Sequence, residues 1–386
     1  MTRDMPRGES DGRLATHHRI AATLRAEIEG AVHPPGSRLP AEVALATRFG
    51  VSRGTLRQAL QNLGREGVIE AIPGRGYFVA HGSPRRHEGR RKVIGVVVPS
   101  VAQPFVPALL GWIEEELHDR GYSMIIGSSG WTREQQAGRI HRILAEGASG
   151  LIAYPIDYDP DPQLFGHLVE RELPVVLIDR YIVGRSIDAV QPDNVGGAYA
   201  AVAHLAELGH RRIAFISTDN QSTTSVAERL QGYEQGLRSY GMEPEQALVF
   251  ARLAIQRRWP APVSAEATPN VSAIAGFLER ARPSAAFVLH EGLAHDTVAA
   301  AARLSLDVPN DLAIVTFDDD VPAAISSPPF TVVVQPLEAL GRTAARLVVE
   351  RVEGRRQETA RMVLPTTLVV RRSSGVAVEP PAAAVG

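Results

Sequence analysis

Residues 38–79 read RLPAEVALATRFGVSRGTLRQALQNLGREGVIEAIPGRGYFV, and their periodicity decides the fold of the first part of the chain. Leu39, Val43, Phe49, Leu56, Leu60 and Leu63 recur at helical spacing and predict one buried face, while Arg53 and Arg57, four apart, fall on the opposite side. Two short helices are followed by a strand, a turn over Pro73, Gly74, Arg75 and Gly76, and a second strand. That order is a winged helix-turn-helix. Its second helix presents arginines outward and has the width of the DNA major groove, where a guanidinium reaches a guanine edge or a phosphate. Upstream, Ile20, Leu24, Ile28 and Val32 repeat every four residues and predict a first helix over 17–32, closed by His33, Pro34, Pro35 and Gly36.

At 386 residues the chain exceeds one small domain. The formal charge of -2 hides an asymmetry: 16 basic and 9 acidic side chains up to Lys92, against 25 and 34 beyond it. A basic head on an acidic body suits a protein whose first part touches nucleic acid. Without cysteine there are no disulfides, thiolate metal sites or cysteine nucleophiles. The first residues, MTRDMPRGESDGRLATHH, hold no apolar run of signal-peptide length, and no later stretch approaches a membrane span. The expectation is a cytoplasmic protein with residues 1–15 and 376–386 disordered. Residues 80–91, AHGSPRRHEGRR, lack apolar periodicity and read as a linker whose arginines can lie along phosphates.

From Lys92 apolar strands alternate with helical patterns, at 93–98, 123–126, 150–154, 175–179, 213–217, 285–289, 312–317 and 331–334. Such alternation predicts α/β architecture with parallel sheets, and its length predicts two lobes. Ligands of these folds bind beyond the carboxyl ends of the strands. The first such turn has no G-x-G-x-x-G, and no Walker lysine motif occurs, which argues against dinucleotide and triphosphate sites. In the helix expected over 104–118, Val106, Leu109, Leu110, Ile113 and Leu117 form the core stripe. Trp112 is then left facing out, as a candidate anchor for a homodimer.

The Arg-Leu-Pro-Ala-Glu entry, Phe49-Gly50-Val51-Ser52-Arg53, Thr55-Leu56-Arg57 and Gly74-Arg75-Gly76 resemble the GntR family of bacterial regulators. The resemblance implies DNA contacts at Arg38, Ser52, Arg53, Thr55 and Arg57, with Gly74, Arg75 and Gly76 at the wing tip. Each arginine also has a plainer reading as solvated surface. Gly54 stands where many relatives carry a side chain, so one base contact is expected to be missing.

Beyond the linker, PSVAQPF, PVVLIDR, DNVGGAYAAVAHLAELGHRRIAFIS, ERLQGY, DVPNDLAIVTFDD and LPTTLVVRRSS resemble the LacI/GalR effector domain, itself related to periplasmic sugar-binding proteins. Joined to a GntR-type head, the chain is similar to the arabinose-repressor architecture, without the LacI hinge helix. A sugar pocket needs planar charged groups and an aromatic wall. The resemblance puts Phe105, Asp179 and Arg229 at or beside effector positions, with Arg180 next to them; Asp179 alternatively caps a turn, and Arg180 reads as structural. Trp131 and Tyr154 suit stacking or plain packing equally. Where the family carries Asn-Asp, this chain has His290-Glu291, a longer acceptor with a histidine beside it. Trp259, in the divergent stretch 251–270, reads as a loop residue. Asp318, Asp319 and Asp320 read as a capping loop rather than a cation site, and His290 and His295 lack the spacing of a helical metal pair.

These readings predict a winged helix-turn-helix domain over 1–79 and a two-lobed, periplasmic-binding-protein-like α/β domain over 92–375. The function they imply is a bacterial, nucleoid-associated transcriptional repressor, dimeric on double-stranded operator DNA and controlled by a monosaccharide or its derivative. No catalytic residue, cofactor, metal or membrane partner is expected. Two alternatives stand: a cytoplasmic sugar-binding protein, and a GntR head on an aminotransferase-like enzyme. The latter needs a Schiff-base lysine, and Lys92, at the linker junction, is the only lysine in the chain.

Overall fold

The computed structural model describes residues 17–375 apart from 18, 26, 29–31, 35, 66–67, 73–74, 80–91, 104, 157–161, 221, 254–268 and 319–325. The expected linker, both termini, Gly74, Trp259, Asp319 and Asp320 therefore lie outside the described residues. The chain divides into two compact units, residues 1–90 and 91–386.

In the first unit, α1 covers described helical residues between 17 and 28. It is followed by α2 (Glu42–Phe49), α3 (Arg53–Arg65), β1 (Ile69–Ile72) and β2 (Gly76–Val79). The two strands pair antiparallel from Ile69 against Val79 to Ile72 against Gly76, and Gly76 takes the positive φ of 100° that the wing turn requires. Ile20, Leu24, Leu39, Leu56, Leu60 and Leu63 are buried together with Ile69 and Val79. Two expectations need correction. Val43 is exposed, because α2 begins at Glu42 and turns Leu45 and Ala46 inward instead. Val32 lies in a bend and is exposed, past the described helical residues.

The second unit begins with β3 (Val93–Val98), α4 (Phe105–Asp119), β4 (Ser123–Ser128), α5 (Arg133–Ala145), β5 (Gly150–Ala153), α6 (Pro162–Glu170), β6 (Val175–Ile178), β7 (Asp188–Pro192) and α7 (Asn194–Glu207). It continues with β8 (Ile213–Thr218), α8 (Thr224–Ser239), β9 (Val249–Leu253), α9 (Pro269–Ala281), β10 (Ala285–Val288) and α10 (Glu291–Arg303). The last elements are β11 (Ala313–Phe317), β12 (Thr331–Val334), α11 (Leu337–Val352), β13 (Arg361–Leu364) and β14 (Thr367–Val369). They form two sheets of six strands, ordered β13-β7-β6-β5-β3-β4 and β14-β12-β11-β10-β8-β9. Every pair is parallel except β12 with β14. All eight expected strands are present. Each sheet is the centre of a lobe with its own apolar core. The chain passes between lobes three times: from β7 to α7, from β12 to α11, which packs on α4, and from β13 to β14.

The ERLQGY motif lies on α8 and shows how the second lobe is locked. Tyr233 is fully buried, donates its hydroxyl to the Ile213 carbonyl at 2.8 Å and stacks on Phe215 at 5.4 Å. Gly232 lets α8 press on α7, since a Cβ there would stand 2.2 Å from the Val195 carbonyl oxygen and 2.8 Å from the Ala198 Cβ. Alanine normally gains about 1 kcal/mol over glycine inside a helix, yet overpacking against a backbone atom costs about 1–3 kcal/mol. Gly232→Ala is therefore expected to lower stability despite its better helix propensity. Urea unfolding measures the difference, and a variant as stable as the wild type contradicts so close an approach.

On α4 the predicted stripe, Val106, Leu109, Leu110, Ile113 and Leu117, is buried. Trp112 does not face out as expected. It is half-buried beneath the Arg342 guanidinium, 5.0 Å from its ring, and a Cβ on Gly341 would lie 2.8 Å from the Trp112 Cβ. Arg342 is itself fixed by Glu115, Glu116 and Glu338, so α11 covers the indole.

Candidate DNA-binding face and interlobe cleft

At the start of α3 the Ser52 hydroxyl accepts the Thr55 N–H at 3.2 Å and lies 2.9 Å from the Thr55 hydroxyl, which satisfies one of the free donors of the helix end. Arg53 and Arg57 project into solvent from the same helix. Arg57 makes a two-point contact with Glu42 of α2, at 2.9 and 3.4 Å. The guanidinium is the chief cause that holds the Glu42 carboxyl below the usual range, and the Tyr77 hydroxyl of the wing is a further hydrogen-bond partner. Glu42 thus ties the wing to the recognition helix, a role that the motif alone did not reveal. Arg38 is exposed and lies over the wing turn, its Nε 3.4 Å from where a Cβ on Gly76 would stand. Arg75 is exposed, with its guanidinium 5.7 Å from the Phe78 ring centre. Gly54 leaves a bare, exposed position on the first turn of α3. Helix end, arginines and wing offer cationic groups and backbone donors together, the equipment for phosphates and base edges.

The cleft of the second unit begins with Asp179, directly after β6. It is 5% exposed and adopts a left-handed φ of 72°, a strained conformation for a residue with a side chain. Arg180 donates to the Asp179 carboxylate at 2.9 Å and to the Tyr154 hydroxyl at 2.6 Å, and its guanidinium covers the Tyr154 ring at 4.5 Å. Tyr154 is buried at the end of β5, where its carbonyl accepts from Gln136 at 3.0 Å and its ring lies 6.1 Å from that of Phe105. Arg180, read from sequence as structural, is the link between the two predicted residues. Burial pushes the Asp179 carboxyl up to about 6 despite the opposing charge of Arg229. Burial likewise raises the Tyr154 hydroxyl.

Across the cleft, Arg229 of α8 is 6% exposed. Its Nε donates to Asn194 at 3.0 Å and its Nη1 to the Leu289 carbonyl at 2.7 Å, while Asp318 stands 3.8 Å away and the Phe317 ring lies 3.6 Å beneath. A solvated surface ion pair does not describe this arginine. Asp318 follows β11 with a left-handed φ of 74° and accepts from Gln335. Asp318 also raises the Asp179 carboxyl, so the two lobes are within electrostatic reach of each other. His290 caps α10 by accepting the Leu293 N–H at 3.4 Å. Its neighbour Glu291 is buried and pairs with His295 at 3.3 Å. Trp131 is half-buried between β4 and α5, and no ring contact among the described residues joins it to Tyr154 or Phe105. No group of three metal-ligating side chains occurs among the described residues.

Beside Arg229 on α8, Glu228 points to the lobe crossing. It accepts from Gln191 at 2.9 Å, from Asn194 at 3.1 Å and from Arg361. Arg361 also donates to Gln191 at 3.0 Å and stacks on Tyr181 at 3.6 Å. None of these five was singled out from sequence. The available signals were Glu228, as the first residue of ERLQGY, and Asn194, as the second of DNVGG.

Burial pulls the His290 ring down to about 4, so it is neutral near pH 7, as its acceptor role requires. A depressed folded-state pKa gives stability that is complete above the unfolded value of 6.5 and lost as pH falls toward 4, on the order of 3 kcal/mol at most. Asp179, raised from 3.8 to about 6, works in the opposite sense and gains stability over the same interval. His290→Asn keeps a capping side chain and removes only the first slope. Its stability relative to wild type is expected to rise between pH 7 and pH 5, as denaturant unfolding at both values would show; a constant difference would contradict a buried neutral His290.

Residues 16–79 match the family of bacterial regulatory proteins, gntR family, and residues 202–374 match the periplasmic binding protein-like domain. An arabinose metabolism transcriptional repressor of Geobacillus stearothermophilus is 27% identical over 348 residues, 88% of this chain and 92% of that protein. The HTH-type transcriptional regulator CelR of Thermobifida fusca is 32% identical over 353 residues, 87% of this chain and 98% of that protein. A solved transcriptional regulator CelR–cellobiose complex superposes with a TM-score of 0.64 at 27% identity, covering 87% of this chain and all of the other.

Proposed function

We propose, because this chain belongs to the family of HTH-type transcriptional regulators that join a DNA-binding head to a periplasmic-binding-protein-like domain, that it is a repressor released from its operator by a small sugar-like effector. The head reads DNA through Arg38, Ser52, Arg53, Thr55, Arg57 and the wing at Gly74, Arg75 and Gly76. The effector lies between the lobes, against Asp179, Arg229, His290 and Glu291, with Phe105, Tyr154 and Trp131 as aromatic walls. One observation carries the reading: an acid and an arginine, Asp179 and Arg229, are buried on facing lobes within reach of each other's charge. Opposed, desolvated groups of this kind suit hydroxyls that donate and accept at once. The relatives named for arabinose and the cellobiose complex support a sugar over other polar ligands.

A homodimer follows from the DNA side, since one recognition helix reads few base pairs and a two-fold pair supplies specificity. The work of such a protein is in the bacterial cytoplasm, on the nucleoid, and it is not an enzyme. A thermal-shift screen of monosaccharides, disaccharides, polyols and their phosphates tests the effector, because a ligand that binds only the folded state raises Tm. Hits are then titrated into the protein on its footprinted operator. No shift with any sugar, or a footprint without two-fold symmetry on a monomeric protein, would sink the proposal.

A further inference from the structure

In the first lobe a cavity of about 190 Å³ opens between the β6–β7 loop, from Tyr181 onward, and the start of β13. Arg185 and Arg361 are in its wall with the Ser186 and Thr359 hydroxyls, which lie 2.8 Å apart, and Ile187 and Ala189 give it apolar lining. Among the described residues no carboxylate lines it. Of the two acids next to lining residues in sequence, Glu358 is exposed and Asp188 is consumed elsewhere: one oxygen accepts from Arg351 at 2.6 Å and the other from the Ala360 N–H at 2.7 Å. Arg185 is exposed and has no carboxylate partner among the described residues. Its guanidinium is folded across α6, where it stands 3.1 Å from the position of a Cβ on Gly166. A Cβ at 166 would move it by a few tenths of an ångström.

We propose that this cavity binds a small organic anion, a phosphate or carboxylate on a body of a few carbons, separately from the effector cleft. Arg185, which has no carboxylate partner among the described residues, supplies the free charge, and Arg361, shared with Glu228, and two hydroxyls add hydrogen-bond donors for such an anion. The volume falls below the roughly 300–1,000 Å³ of pockets for drug-sized ligands, which sets the size of the occupant. Arg361 makes the site more than a passive one. The same guanidinium holds Glu228 and Gln191 at the lobe crossing, so an anion that draws on Arg361 competes with the hinge. Binding there is thereby linked to the balance of lobe positions.

Isothermal titration at constant ionic strength, with the full chain and with inorganic phosphate, glycerol 3-phosphate, malate and neutral glycerol as probes, decides the matter. Saturable binding of at least one of the two organic anions, tighter than inorganic phosphate and absent for glycerol, is expected; the stronger of glycerol 3-phosphate and malate tells phosphate from carboxylate. Arg185→Ala, an exposed substitution that should leave Tm unchanged, is expected to weaken it at least tenfold. Absence of saturable binding by the wild type, or wild-type affinity in Arg185→Ala, would overturn the site.

Discussion

Arg229→Ala protein is expected to hold its operator as tightly as the wild type and to stay there when the effector is added. The side chain is buried, donates to Asn194 and the Leu289 carbonyl, and neutralises Asp318. Truncation removes its donors from a desolvated site and leaves that carboxylate without its cation, a loss on the order of 2 to 5 kcal/mol. Half-saturation then moves up about thirty-fold to several thousand-fold. Asp179→Ala, on the facing lobe, should behave alike, since closure of the lobes on a ligand needs both walls. Titration of the screened sugar into preformed protein and operator, for the wild type and both variants, measures it. Equal release by all three would place the effector elsewhere.

In the head, Arg57→Ala is expected to weaken specific operator binding by about 1 to 3 kcal/mol, the range for a lost bidentate base contact. The structure adds a reason to expect the upper part. Arg57 does not wander in solvent but rests on Glu42, so its guanidinium reaches DNA already oriented and little rotamer freedom is lost on docking. Arg75→Ala should instead weaken all sequences evenly and reduce the salt dependence, as expected of a phosphate contact. Binding to operator and scrambled DNA over a range of salt separates the two. An Arg57 variant with undiminished operator affinity would show that α3 is not docked in the major groove.

The periodic parts of the chain were legible because burial and hydrogen bonding act there over a few residues. Six-residue β3 and the α4 stripe are of that kind. Strands β7, β9, β13 and β14 escaped notice. β7 reads DAVQP, and its polar residues are buried only because remote groups satisfy them: Arg351 and the Ala360 N–H for Asp188, Glu228 and Arg361 for Gln191. β13 and β14 are short edge strands of four and three residues, too brief for a pattern. Among the candidate site residues, Arg229 and Asp179 stood in recognisable motifs, and Tyr154 stood at the end of an apolar strand. The hinge group did not, because Glu228 meets Arg361 across 133 residues and Gln191 meets it across 170, and no local spacing encodes such a meeting.

The three passages between lobes also fix the order in which the protein can be made. The first lobe waits for α11 and β13 and the second for β14, so the first sheet is complete only at residue 364 and the second at residue 369. The head, finished at Val79, precedes that moment by 290 residues, about 15 to 60 s of translation at roughly 5–20 residues per second. During synthesis the chain therefore carries a DNA reader before it carries any means of governing it. A nascent or prematurely terminated chain would be a reader of DNA that answers to no ligand.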